Sequence, residues 1–422
     1  MGALTLTPNV ATWSIAALAT LGVILRPFAW PEAIWASLGA VLLVVLGLMP
    51  WSVALEGVAK GTDVYLFLVG MMLLSEVARK EGLFDWLAAH AVRAARGSAT
   101  RLFTLVYLVG TVVTVFLSND ACAVVLTPAV FAATKAAGVK QPLPYLFVCA
   151  FIANAASFVL PISNPANLVV FAEHMPPLGR WLATFTLPSL LAIVATYVVL
   201  RLTQNGALRA ETVATDVETP ALGRGGTIAA VGILATGAAL IGASAAGIEL
   251  GLPTFVAGLV TTLVVVAVNR GGLVEVARDV SWSVLPLVAG LFVLVEALEK
   301  TGVLGMLAAM LRRAAEADPA ATAWAGGALV AFGSNLVNNL PAGLLAGAAV
   351  QAAHAPETVA GAILIGVDLG PNLSVTGSLA TILWLTAIRR EGEDVSAWSF
   401  LKLGLLVMPP ALALALGALI LA

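Results

Sequence analysis

Charge is what this chain lacks. Asp, Glu, Lys and Arg make up only 10% of its 422 residues, against roughly a quarter in water-soluble domains. Hydrophobic residues make up 60%, with a mean hydropathy of +1.02, which excludes a soluble globular domain. The net charge of −2 offers no basic surface for a nucleic acid or an anionic partner. There are two cysteines, Cys122 and Cys149, too few for a disulfide framework or a zinc site. The three histidines, His90, His174 and His354, lie near loops rather than mid-span. With no HExxH and no paired-aspartate motif, a membrane-embedded enzyme has no constellation to work with, and no cofactor or metal is implied. No basic residue precedes the first apolar run, so a cleaved secretory signal is not expected. The apolar runs do not alternate with polar residues, which argues against a β-barrel.

What is present is a succession of apolar runs near the length that crosses a bilayer, about 20 residues each, roughly ten to twelve in all. The reading is an all-α polytopic membrane protein, multi-pass in the cell (inner) membrane. The chain also repeats itself. Gly70 to Gly82 reads GMMLLSEVARKEG and Gly290 to Gly302 reads GLFVLVEALEKTG, so that Glu76 matches Glu296, Lys80 matches Lys300 and Gly82 matches Gly302 at one spacing. Duplicated halves with interrupted helices at matching positions are the mark of a secondary transporter, whose site lies where the breaks meet. The expected organisation is a first transmembrane repeat over residues 1–200 with a hairpin near 160–171. A polar linker follows over 201–225, carrying Arg209, Glu211, Asp216, Glu218 and Arg224. A second repeat covers 226–422 with a hairpin near 370–384. Expected spans in the first half are 12–24, 33–48, 63–78, 102–117, 121–137, 145–159 and 182–200. In the second half they are 227–245, 252–268, 281–297 and 322–337, then an interrupted region at 341–385 and a last span at 398–421.

Segment 84–96, and 305–314 as its counterpart, read as helices lying along the interface. Arg79, Lys80, Arg93, Arg96 and Arg101 form the densest basic cluster, which the positive-inside rule places in the cytoplasm. Glu76 and Glu296, each four residues before a lysine, read as i,i+4 pairs closing a helix end.

The polar breaks carry the chemistry. Asp120 follows one apolar run and precedes another. A charge at such depth costs about 2.5–3.5 kcal/mol on insertion scales and by default marks a functional pathway. It reads either as a proton-coupling carboxylate or as the N-cap of the helix resuming at Ala121. Asn119 beside it supplies a donor and an acceptor without charge. Asn338 and Asn339 are the second-half equivalents, with Asn335 a turn earlier and Pro341 breaking the helical ladder. A second pair of breaks reads PISNPANLVVF from Pro161 and SVTGSLATILW from Ser374. Aligned without a gap, they place Asn164 on Gly377 and Pro165 on Ser378. Each reads as the tip of a re-entrant hairpin lining a cavity. Ser163, Asn164 and Asn167 in the first tip, and Thr376 and Ser378 in the second, are candidate substrate contacts. Asp368, leading into the second tip, reads either as a second coupling carboxylate or as part of an exposed turn with Gly366, Gly370 and Pro371.

FLSNDACAVVLTPAV, ISNPANLVV and NLVNNLPAGLL resemble the arsenite efflux permeases, the arsenical pump membrane proteins of the ion transporter superfamily, and the likeness runs through essentially the whole chain. The resemblance implies efflux of arsenite or antimonite against proton influx. It also implies two inverted repeats with re-entrant hairpins and, in some systems, a soluble pump ATPase as partner. Related dicarboxylate carriers typically carry Ser-Asn-Thr at both tips. Here the tips are Ser163-Asn164-Pro165 and Thr376-Gly377-Ser378, which argues against a carboxylate substrate. Arsenous acid is a small neutral triol, matched by Asn and Ser/Thr side chains. A dicarboxylate would call for fixed cations, and no Lys or Arg falls among the breaks. Cys122 reads as a small packing residue despite the thiophilicity of arsenic. The rival reading is a sodium/proton or organic-anion carrier of the same superfamily.

Overall fold

The computed structural model describes residues 7–171, 175–215, 219–269 and 271–421. His174, Asp216 and Glu218 lie outside the described residues. Helix follows helix, with no strand among the described residues. Six of these helices are long and apolar enough to cross a membrane: Ala99–Phe116, Leu178–Thr203, Arg224–Ala245, Gly251–Asn269, Pro319–Val337 and Ala397–Leu421. Two more spans form only as bent pairs, Trp51–Lys60 with Thr62–Lys80 and Leu273–Asp279 with Val284–Lys300, each kinked by 48°. Others of the apolar runs form shorter helices, Glu32–Val45, Ala121–Ala136 and Leu143–Ala155.

Local chemistry sets the helix ends. Ser98 accepts the Arg101 N–H at 3.3 Å and Asp318 accepts the Ala321 N–H at 2.9 Å, capping the matching helices Ala99–Phe116 and Pro319–Val337. Small residues then let backbones meet. Gly70 lies against Thr254 and Gly258, and Gly366 against Gly327, so closely that a Cβ at either position would collide with main chain. That is how helices pack where lipid offers no hydrophobic drive.

Leu83–Ala95 has the expected two faces. Phe84, Ala88 and Val92 are buried and pack on Ala99–Phe116 and Thr127–Ala136, while Asp85 and Arg93 point outward. Val303–Ala317 takes the corresponding place in the second half. Between the halves, segment 201–224 is less irregular than expected. Leu178–Thr203 runs into it, Asn205–Arg209 is a short helix, and Ala214 N–H donates to Ala137 O at 2.9 Å.

The duplicated glutamates close their helices differently from the sequence reading. Glu76 takes two hydrogen bonds from Arg79, at 3.0 and 2.6 Å, leaving Lys80 at 3.9 Å. Glu296 bonds Lys60 from another helix at 2.5 Å, with Lys300 at 3.8 Å. Arginine's fork and a better-aimed lysine outcompete the i,i+4 partner in each case. Lys80 turns instead to Asp279 at 3.0 Å. These pairs set direction. The end of Val284–Lys300 lies beside Lys60, just before Thr62–Lys80 begins, and the end of Thr62–Lys80 lies beside Asp279, just before Val284–Lys300 begins. The two matching helices run antiparallel.

Both hairpins form. Leu143–Ala155 leads through the turn Pro161–Ser163 into Pro165–Phe171, and Glu357–Leu369 leads through Val375–Gly377 into Leu379–Arg390. Extended Asn164 (φ −150°, ψ 130°) follows the first turn as extended Ser378 (φ −143°, ψ 158°) follows the second. The structural register thus matches Asn164 with Ser378, one residue from the sequence alignment on Gly377.

Candidate functional site

The first break is built from three consecutive polar residues with separate tasks. Ser118 Oγ accepts the Ala121 N–H at 3.2 Å, and Asn119 Oδ1 accepts the Asp120 N–H at 2.9 Å. Asp120 itself is helical (φ −64°, ψ −41°) and its side chain caps nothing, so the N-cap reading is set aside. The helix resumes as a π-helical turn, Ala121–Leu126, a form that recurs at functional sites. Freed from capping, the Asp120 carboxylate has no hydrogen-bond or ion-pair partner among the described residues.

Asp120 lies where two cavities join. A funnel of about 450 Å³ runs from a charged mouth, with Glu76, Arg79, Asp279 and Arg390, down to Ser118, Asp120 and Pro165. A smaller chamber of about 40 Å³ continues beyond it, lined by Asn119, Asp120, Asn164, Asn339 and Ser378. Leu68, Asp120, Pro165, Val284 and Leu379 belong to both. The structure thus brings together five of the predicted site residues, two from each half plus Asp120. At the mouth Arg79 is neutralised by Glu76 and by Asp279 at 3.6 Å. Two arginines face three carboxylates along the funnel, so it holds no excess of cations to seat a polyanion. A larger cleft of about 810 Å³ beside Pro319–Val337 has only Asp318 and Thr322 as polar lining and gathers no chemistry.

The remaining candidates stand behind the chamber. Asn338 adopts φ 71°, ψ 150°, a region that costs a non-glycine residue on the order of 1–3 kcal/mol and collects at functional sites. Its side chain accepts the Leu340 N–H at 3.3 Å and donates to Thr376 O at 3.3 Å. Thr376 donates to Asn335 O at 3.0 Å, and Ser374 donates to Asn335 Oδ1 at 2.7 Å. Asn338 and Thr376 therefore tie the second break to the second tip. In the first tip Ser163 donates to Val115 O at 3.0 Å, and Asn167 donates to the Ser157, Leu160 and Pro161 carbonyls. Both side chains hold the turn in shape.

Asp368 is fully buried, which disposes of the exposed-turn reading. It does not line the chamber, but Asn164, which does, donates to its Oδ1 at 2.7 Å. Cys122 is buried and points its thiol at Cys149 O, 3.5 Å away, a packing role. The sequence reading missed Asn154, which donates to Asn372 Oδ1 at 3.0 Å and receives Ser378 Oγ at 3.5 Å. Its signal was a lone amide in the apolar run IANAAS, which the structural register, but not the sequence alignment, matches to Asp368. It also missed the charged mouth, whose residues are far apart in sequence.

Comparison with known proteins gives a consistent picture. A family profile described as citrate transporter matches residues 20–370. The chain is 28% identical to an arsenical pump membrane protein of Yersinia enterocolitica over 92% of both chains. It is 29% identical to another of that name from Escherichia coli K12, covering 91% of this chain and 92% of the relative. Among solved structures it shares its fold with the YdaH transporter of Alcanivorax borkumensis, with a TM-score of 0.61 at 16% identity over 98% of both chains.

Proposed function

The chain belongs to the citrate transporter family, and from that premise we propose that this multi-pass membrane protein exports arsenite, and antimonite, in exchange for protons. The observation that carries the reading is the unpaired Asp120 carboxylate at the junction of funnel and chamber, faced by neutral Asn119, Asn164, Asn339 and Ser378. Amides and a hydroxyl match the O–H groups of a neutral triol in both directions. A chamber of about 40 Å³ has room for only a few water-sized groups. The names of the Yersinia and Escherichia relatives point to the same substrate.

In the proposed cycle the solute enters the chamber from the funnel while Asp120 gives up its proton, and a proton from the opposite side returns to Asp120 as the solute leaves. Asp368 serves as the second coupling carboxylate, acting on the chamber through Asn164. The halves act as inverted repeats, the hairpin-bearing elements moving against the remaining helices to alternate access. The antiparallel run of Thr62–Lys80 and Val284–Lys300 supports that arrangement.

Inverted vesicles with an acid interior test the proposal. Arsenite should accumulate in vesicles with the unmodified protein and fail to accumulate with Asp120→Asn. Absence of uptake by the unmodified protein would remove the substrate assignment. A second reading, organic-anion transport, draws on the family's description and on Arg390, which faces the funnel without an ion-pair partner among the described residues. Citrate uptake in the same vesicles, abolished by Arg390→Gln, would select it.

A further inference from the structure

The two tips are held by exchange. Asn154 ends Leu143–Ala155 as Asp368 ends Glu357–Leu369, each one residue before the last, and Asn164 follows the first turn as Ser378 follows the second. Ser378 of the second tip donates to Asn154 Oδ1, while Asn164 of the first tip donates to Asp368 Oδ1. Each repeat's helix end thus accepts a hydrogen bond from the other repeat's tip.

The equivalence breaks at one atom. Asn154 has a second, donating arm, and its Nδ2 reaches Asn372 Oδ1 at 3.0 Å and Thr381 Oγ1 at 3.4 Å. In the other repeat Asp368 stands for Asn154 and Asn167 stands for Thr381. There, Asp368 Oδ2 and Asn167 Oδ1 are both buried and both without a hydrogen-bond partner among the described residues. Neither amide can turn to relieve them. Asn167 Nδ2 is committed to three backbone carbonyls, and Asn164 Oδ1 already receives the Ala166 N–H at 3.0 Å. Ser157, beside the Asp368 carboxyl, donates its hydroxyl to Asn154 O at 2.8 Å. By the repeat register these two orphaned acceptors answer to the donor and acceptor of the other repeat. Ser157, whose carbonyl receives Asn167 Nδ2 and whose hydroxyl lies beside the Asp368 carboxyl, borders both; relative to the other repeat the pair lacks one hydrogen.

We propose that Asp368 Oδ2 and Asn167 Oδ1 form a buried proton site, the proton bound to the carboxyl and donated to the amide oxygen. Uptake converts the carboxylate to the acid by forming one O–H bond, and no other bond changes. The inference deepens the proposed antiport by making Asp368 a positioning residue. With the carboxylate charged, its bond to Asn164 is charge-assisted and roughly twice as strong as with the neutral acid. Protonation therefore loosens the hold on a side chain that lines the chamber. No charge competes for the site. The elements packed on Glu357–Leu369 carry as titratable groups Tyr145 and Cys149, Lys402, and Asp318 at the start of Pro319–Val337, and Glu357 begins the helix itself. None of them bonds or pairs with Asp368. Asp120 lines the chamber together with Asn164, the residue that donates to Asp368.

The test needs no transported solute. Infrared spectra of the protein in lipid vesicles at neutral pH, in an Asp120→Asn background, should contain a protonated carboxyl stretch that shifts in deuterium oxide. The band should vanish in Asp120→Asn/Asp368→Asn, where an amide supplies the missing donor permanently. Should that double variant fail to fold, ¹³C labelling of aspartate carboxyls in the single variant assigns the band to aspartate, and Asn167→Ala, which removes the acceptor, should then shift it. A band indifferent to Asp368→Asn or to the label, no band in neutral or mildly acid buffer, or a band abolished by sodium at fixed pH would each overturn the proton site. Those results would leave exchange through Asp120 standing, and loss of gradient-driven arsenite uptake bears on that reading alone.

Discussion

Of the three carboxylates lining the funnel, Asp120 alone lacks an ion pair: Glu76 holds Arg79, and Asp279 holds Lys80 and Arg79. The difference predicts a division of roles. Asp120→Asn should abolish gradient-driven accumulation while substrate exchange between equal concentrations survives, whereas Asp279→Asn should leave both measurable in the same vesicle assay. A second prediction concerns Asn154. Asn154→Ala removes the donor to Asn372 Oδ1, while Ser378 Oγ keeps Thr381 at 2.8 Å, and hydrogen bonds between helices in a membrane are worth about 1–2 kcal/mol. Thermal unfolding in detergent should fall by a corresponding few degrees, with Asn154→Gln recovering part of the loss. At this scale the sequence exposed the residues whose polarity clashes with their surroundings. Asp120, Asn119, Asn164, Asn339 and Ser378 were all legible as breaks in apolar runs, and all five line the chamber. Roles were harder to read. Whether Asp120 caps a helix or faces a cavity depends on Ser118 and Asn119 taking the backbone N–H groups, which is a matter of three-dimensional geometry.

Elements were legible in kind, and their lengths were set by packing. The repeat at Glu76 and Glu296 and the two polar tips were visible because a duplicated pattern needs no contact information, whereas how the helices on either side of each tip pack could not be read. The hairpin register slipped by one residue, since small residues at both tips align almost equally well at either offset, and only the matched turns Pro161–Ser163 and Val375–Gly377 decide it. The bends preceding Thr62–Lys80 and Val284–Lys300 fall on polar residues, Lys60-Gly61-Thr62-Asp63 and Arg278-Asp279-Val280-Ser281, where the sequence reading began its spans, so the short helices before them were not joined to the spans. Packing also makes a prediction for Pro319–Val337 and Glu357–Leu369, which meet through Gly366 against Gly327 and Gly370 against Ala331. Gly366→Val would push its side chain into the Gly327 carbonyl, and overpacking of this kind costs typically about 1–3 kcal/mol. Folded protein recovered after detergent extraction should drop clearly for Gly366→Val and little for Gly333→Val, where a Cβ meets no neighbour.

For the molecule as a whole, the funnel is lined by three exposed charged residues, Arg79, Asp279 and Arg390, and Arg79 lies at the end of Thr62–Lys80. The opposite end of Thr62–Lys80 is marked by Asp63, whose Oδ1 accepts the Gly251 N–H at 2.6 Å. Nineteen helical residues separate the two ends, about 28 Å at 1.5 Å per residue, close to the thickness of the hydrocarbon core. By the positive-inside rule the basic cluster from Arg79 to Arg101 predicts a cytoplasmic funnel mouth, the side from which the proposed exporter would load. Accessibility to a membrane-impermeant thiol reagent checks this directly. Cys122 and Cys149 are both buried, so replacing them with alanine gives a quiet background. Ser281→Cys, exposed in the funnel, should then label in inverted vesicles and resist labelling in intact cells, while Glu249→Cys, at the Gly251 end, should do the reverse. The opposite pattern would turn the funnel outward, and protons rather than solute would then meet Asp120 first in this conformation.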